Sequence, residues 1–261
     1  MSEAPSKWVP LEASPDVFNA VSHDYYCPVI EDRITFIDTL HIQWSEPLGL
    51  PQSLAFQDLF SLDPSFLSFV PAPHRAVLLL FPSKGKLKDE RRKEDQDDGN
   101  QFNGEGIWWI KQTIPNACGS IGLLHSLLNL PERGPDALNP DSKLAQFKAE
   151  SLPLSGLERA KLLDETTFFT VAHTNAAQTG QSVVPTDLDV DEHFIAFVEG
   201  VDEKGEKRIV ELDGGRNGPL DRGASNNFLE DVAKVVQEKY FDRAEGDVNF
   251  NMIVLAGKSD D

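Results

Sequence analysis

Six consecutive apolar residues at 76–81 (AVLLLF) stand in a stretch bounded by Pro73 and Pro82. A short run without polar alternation, closed off by prolines, reads as a strand buried on both faces in the middle of a sheet. The rest of the chain must then supply partners for that strand and helices to cover it. Further strands are expected at 36–40, 106–112 (GIWWIKQ), 193–200, 208–212 and 249–255, with 8–11 able to open as an extended segment. Helices are expected at 15–21, 55–60, 64–69, 118–130, 155–164 and 227–241, with Ser155 placed as an N-cap. The turn at 202–205 joins 193–200 to 208–212 as a hairpin. The sum is one mixed α/β domain over residues 1–261, an antiparallel sheet with helices packed on it.

Two segments carry no such pattern. Residues 83–105 (SKGKLKDERRKEDQDDGNQFNGE) are charged and glycine-dotted and offer little to bury, so they read as a mobile surface loop with helix only at its start. Residues 173–191 (HTNAAQTGQSVVPTDLDVD) are small, polar and aperiodic, and a long loop inside a compact domain is commonly functional.

Composition excludes several classes of function. A formal charge of −19 repels nucleic acid and favours basic partners, although solubility alone also explains much of it. No apolar run is long enough for a membrane helix, and the N-terminus lacks an apolar signal region, so a cytoplasmic protein is expected. Two cysteines, Cys27 and Cys118, allow neither a disulfide framework nor a four-cysteine zinc site, and no metal or other cofactor is called for. A reducing compartment fits that count.

Cys118 is the cysteine with a chemical context. It opens an apolar helix after a short turn, and a helix N-terminus stabilises a thiolate through its unpaired N–H groups and partial positive charge. Gly119 leaves room for a substrate backbone. Taken alone, such a cysteine is more often a small buried residue, so a base is needed. His125, seven residues along the same helix, lies about 10 Å away by helical rise and cannot serve. His23, His41 and His74 have no chemistry beside them, and His173 is a weak candidate at the start of the long loop. His193 begins one hairpin strand and Asp213 closes the other, nearly opposite if the turn centres near Glu203. The aspartate could then hold the imidazole and stabilise its charged form. Gln112 precedes the turn and can donate to a developing oxyanion alongside the Cys118 N–H.

The run QTIPNACGSIGLLHSLL at 112–128, with HFIAFVEGVD and VELDG, closely resembles the active-site segments of the ubiquitin carboxyl-terminal hydrolases. The resemblance continues in WVPLEASPDVFN, VPAPHRAVLLLFP and FNMIVLAG, in the same order over nearly the whole chain. It implies Cys118 as nucleophile, His193 as base, Asp213 as the orienting acid and Gln112 as oxyanion donor. It also implies a papain-like α/β/α domain with a knotted backbone, a crossover loop at 173–191 that limits the leaving group, and a monomer of the compact type. The implied partner is ubiquitin or a close ubiquitin-like relative, whose basic tail ends in two glycines. Asp164, Glu165 and the acidic group at 187–192 are candidates to meet that tail, and residues 8–12 a candidate part of the ubiquitin surface. Pro115 departs from relatives that carry serine or glycine there. Three readings stand beside this one: another Cys-His-Asp acyl-transfer enzyme, a catalytically idle ubiquitin-binding module, and a metal site built from Cys118, His193 and Asp213, which lacks ligand spacing.

Overall fold

The computed structural model describes residues 13–15, 18, 48–96, 100–166, 169 and 191–258. The extended segment and strand expected at 8–11 and 36–40 lie outside them, as do most of 15–21 and all of 173–191 except Asp191.

The elements, in order, are β1 (Leu54–Asp58), α1 (Pro64–Leu67), β2 (His74–Pro82), α2 (Gly85–Glu94), α3 (Cys118–Leu128), α4 (Lys143–Ser151) and α5 (Gly156–Glu165). They continue with β3 (Glu192–Val201), β4 (Lys207–Leu212), β5 (Leu220–Ala224), α6 (Phe228–Lys239) and β6 (Asn251–Gly257). Among the described residues, six strands form one sheet in the order β1-β6-β2-β3-β4-β5, with each neighbouring pair antiparallel. The apolar run at 76–81 lies in β2, held between β6 and β3 as a buried central strand should be.

Alternate residues of the central strands feed two separate cores. Leu78, Phe194, Ala196, Val210 and Leu255 face the one capped by α3, α4 and α5. Leu79, Ile195, Phe197, Ile209 and Val254 face the one that holds Leu67 of α1, Leu87 of α2 and the apolar stripe of α6. The architecture is the expected α/β/α arrangement. α3 is buried around its whole circumference, and its Gly122 lets the helix lie directly on the sheet, since a Cβ there would meet Leu78 at 3.0 Å. α5 starts with a capping box in which Ser155 and Glu158 satisfy each other's backbone N–H groups, as the N-cap at Ser155 predicts.

Three expectations are corrected. Residues 55–60 form no helix: 55–58 belong to β1, where Leu54 and Phe56 alternate inward with period two, and 59–60 follow the strand. The segment 106–112 is extended but belongs to no strand, because side chains take the place of a neighbouring strand. Asn129 bonds both the N–H and the C=O of Trp108, His125 Nε2 accepts from the Ile110 N–H at 3.2 Å, and Arg159 donates to the Trp109 carbonyl at 2.7 Å. The charged stretch 83–105, apart from 97–99 which lie outside the described residues, is tied to the fold rather than a loose surface loop. Its first part is α2, which buries Leu87 and Arg91, and its last part bridges back to the sheet at Gln101–Leu220 and Glu105–Val201.

Candidate active site

Asn116 takes a left-handed backbone (φ 62°), a conformation asparagine tolerates, and the chain then turns into α3 with Cys118 as its first residue. Cys118 is nearly buried and unbonded to another cysteine. The backbone N–H groups of Gly119 and Phe194 point at its sulfur, and His193 shares a hydrogen bond with it. Burial pushes the thiol up, but His193 and the two backbone donors outweigh it and hold the pKa below the ordinary value.

His193 sits near the start of β3. Its Nε2 bonds Asp213 Oδ1 at 2.8 Å, which leaves the other ring nitrogen for Cys118. Burial disfavours the imidazolium, yet Asp213 and the facing thiolate push its pKa up to about 10. Both shifts act in the same sense and favour the thiolate–imidazolium form of the pair. Asp213 is buried, but His193, Arg91 and the Gly215 N–H hold it well below the usual carboxylate range.

The hairpin register differs from expectation. Ala196 pairs with Leu212 and Val201 with Lys207, so the turn centres on position 204 and His193 lies diagonal to Asp213 rather than opposite it. A shift of one in the centre moves the partner by two residues, which keeps both side chains on the same face and within reach.

Gln112 is brought beside the pair by the backbone. Its N–H donates to Gly214 O at 2.9 Å, immediately after Asp213. Gly214 must lack a side chain, since a Cβ would meet Gln112 Cβ and Ile121 Cγ2 at 2.8 Å. The Gln112 amide donates to Ile114 O at 3.1 Å, which occupies one of its two N–H bonds. Among the other histidines, His125 is fully buried and burial lowers its pKa to about 3, so it stays neutral and anchors the Ile110 N–H. Of the acidic candidates, Asp164 and Glu165 close α5, and Asp191 and Glu192 lead directly into His193.

Behind Asp213 lies a buried ionic cluster that no motif announces. Arg91 donates to Asp213 Oδ2. Glu211 is bracketed by Arg216 Nε at 3.1 Å and Arg222 Nε at 2.7 Å, with Arg91 Nη1 at 3.6 Å. Glu94 of α2 accepts from Arg216 and Arg222, both at 2.8 Å, and Asp95 accepts from Arg216. With His193 charged, four cations (Arg91, Arg216, Arg222, His193) face four carboxylates (Glu94, Asp95, Glu211, Asp213). The one available sequence signal is Glu211, an acid set between the apolar residues Ile209, Val210 and Leu212 of β4.

Removing a single member of such a cluster strands the others. Glu211→Ala is expected to destabilise the fold by about 3–5 kcal/mol, seen as a lower urea midpoint. Burial raises the Glu211 pKa, but Arg222, Arg216 and Arg91 bring it down to about 2 from an ordinary 4.5. A folded value below the unfolded one stabilises fully above pH 4.5 and is lost as pH falls towards 2. Urea titrations of Glu211→Gln should therefore show a flatter stability decline over that window than the native chain.

The model of the family described as ubiquitin carboxyl-terminal hydrolase, family 1, matches residues 38–240. Ubiquitin carboxyl-terminal hydrolase 3 of Arabidopsis thaliana is 32% identical over 263 residues, spanning 99% of this chain and 97% of its own. Ubiquitin carboxyl-terminal hydrolase isozyme L1 of Rattus norvegicus is 35% identical over 212 residues, 80% of this chain and 90% of its own. The fold is similar to that of the UCH37 catalytic domain of Trichinella spiralis bound to ubiquitin vinyl methyl ester, with a TM-score of 0.66, 23% identity and 98% of each chain covered.

Proposed function

Because the chain belongs to ubiquitin carboxyl-terminal hydrolase family 1, we propose that it is a thiol hydrolase that releases small adducts or short peptides from the C-terminal glycine of ubiquitin, with Cys118 as its nucleophile. The observation that carries this reading is the alignment of Cys118 with His193 and of His193 with Asp213, at 2.8 Å for the second pair.

The Cys118 thiolate attacks the carbonyl carbon of the terminal glycine and forms a C–S bond. The negative charge moves to the carbonyl oxygen, where the Cys118 N–H and the second N–H of Gln112 receive it. Collapse of this intermediate breaks the C–N bond while His193 gives its proton to the departing amine. Neutral His193 then takes a proton from water. The hydroxide attacks the thioester, the C–S bond breaks, and the thiolate–imidazolium pair is restored. Asp213 keeps the imidazole in one orientation and stabilises its charge in both halves of the cycle.

Asp191 and Glu192, next to His193 in sequence, are in this reading partners for the basic tail of ubiquitin. The chain acts in this reading as a single domain and a monomer, in the cytoplasm, where a reducing environment keeps Cys118 free. The segment at 173–191 is the proposed limit on leaving-group size. Among the described residues, no helix is long and apolar enough to cross a membrane.

The test is release of a fluorogenic amide from the C-terminus of ubiquitin. Saturable release is expected, with none from the same amide on a short unrelated peptide. Release from both would favour a general acyl-transfer enzyme. Ubiquitin binding by a folded protein that releases nothing would favour the binding module.

A further inference from the structure

The most charged stretch of the sequence ends up against the back of the aspartate that serves His193. α2 inserts Leu87 into the second core and delivers Arg91 one turn later, with only 11% of its side chain exposed. Its guanidinium donates to Asp213 Oδ2, the oxygen His193 does not use, and to the Tyr240 hydroxyl at 2.8 Å. It also lies over the Phe81 ring, 4.7 Å from the centroid. Phe81 meets the His193 ring edge to face at 5.8 Å. Arg91 thus reaches His193 by two routes, through the carboxylate that bonds it and through the ring it packs on.

We infer that Arg91 is a positioning residue for the hydrolysis, holding Asp213 and Phe81 so that the His193 imidazole stays aimed at Cys118. The inference rests on the proposed roles of Cys118, His193 and Asp213. Its logic is the geometry of a carboxylate. Oδ1 is held by His193 at 2.8 Å and by the Gly215 N–H at 2.7 Å, so the rotation of the group is set by what holds Oδ2. Among the described residues, Arg216 is the further cation that faces this carboxylate beside Arg91 and His193, with its Nε 3.9 Å from Oδ2. A carboxylate that turned Oδ2 to that donor would have to move Oδ1 from the position that His193 and the Gly215 N–H now share. A lysine at 91 could neutralise the charge but could not reach Asp213 and Tyr240 together or lie flat on Phe81. Among the described residues, the charged and titratable groups around Asp213 are His193 of β3, Glu211 of β4, Arg216 of the following turn, Arg91 of α2, the neutral His125 of α3 and, across the guanidinium, Tyr240 after α6.

The test compares the native chain with Arg91→Gln, Arg91→Lys and Tyr240→Phe, all in a Cys27→Ser background so that Cys118 is the single thiol. Two readouts are taken: the pH profile of Cys118 alkylation by iodoacetamide, and kcat and KM on the ubiquitin amide. A loosened His193–Asp213 bond weakens the thiolate–imidazolium pair from both sides. Arg91→Gln should therefore narrow the alkylation window by about one pH unit, the thiol limb rising and the histidine limb falling. kcat should fall about ten- to a hundredfold with KM little changed. Arg91→Lys should recover part of this, and Tyr240→Phe, which keeps the volume, should give a smaller change of the same sign. Loss of activity in proportion to the folded fraction, with an unmoved alkylation profile, would make Arg91 a structural residue only. A widened window would mean that Arg91 competes with His193 for the carboxylate, which also overturns the inference. Alkylation needs no ubiquitin, so a native chain that fails to hydrolyse the amide would sink the proposed function while this readout still decides on Arg91.

Discussion

Cys118→Ala is expected to abolish release of a fluorogenic amide from ubiquitin, a loss of about a millionfold in kcat, while ubiquitin still binds with an affinity within a few-fold of native. The thiol contributes little to packing that a methyl group cannot replace. Cys118 is 9% exposed at the start of a helix whose burial rests on Ile121, Leu124 and Leu128, so the variant should fold. Only the acyl-enzyme route is removed. Cys118→Ser sharpens the point. A serine hydroxyl is far less acidic than this thiol and must lose its proton to a base during attack. In the native site the shifts favour a His193 that already carries its proton, since Asp213 and the thiol both raise its pKa. The serine variant should be nearly as inactive as the alanine one, although the nucleophilic atom is present. Retained hydrolysis in either variant, measured on protein free of native chain, would remove Cys118 from the mechanism. Lost binding together with lost activity would instead point to a folding defect.

The site's main axis was open to sequence reasoning because it rests on local order. A short turn and an apolar helix place Cys118 without reference to the rest of the chain, and hairpin parity places His193 and Asp213 on one face. The register was off by one residue at the turn centre, and period two absorbed the error. Segments failed where their partners are remote. Residues 106–112 look like a strand, yet their backbone is satisfied by Asn129, His125 and Arg159, which no periodicity marks as its neighbours. The stretch 83–105 looks solvated because composition counts charges singly. In the fold, Arg91 and Glu94 are halves of pairs whose other halves, Asp213, Arg216 and Arg222, stand about 120 residues on. Complementary charge across that separation leaves no trace in a local window. Only Glu211 stands out locally, as a lone acid between Val210 and Leu212 that the fold buries.

The same cluster makes Asp213→Asn a severe change, about a hundred- to a thousandfold in kcat. An amide keeps the shape of the carboxylate but has a single acceptor oxygen, where the native group uses two. Oδ2 receives Arg91, and Oδ1 receives both His193 and the Gly215 N–H. If the amide oxygen turns to Arg91, its NH2 faces the His193 Nε2–H and the Gly215 N–H, donor against donor. If it turns to His193, the NH2 faces a guanidinium that cannot accept. Either way a buried cation loses its partner beside another. His193, whose pKa of about 10 depends on Asp213, should fall back towards its ordinary 6.5, and the thiol of Cys118 should rise as its counter-charge is lost. The pH–rate profile is therefore expected to lose its alkaline limb near 10 and to collapse to a narrow, low optimum near neutrality. A profile of native width, reduced only in height, would mean that Asp213 orients the imidazole without supporting its charge.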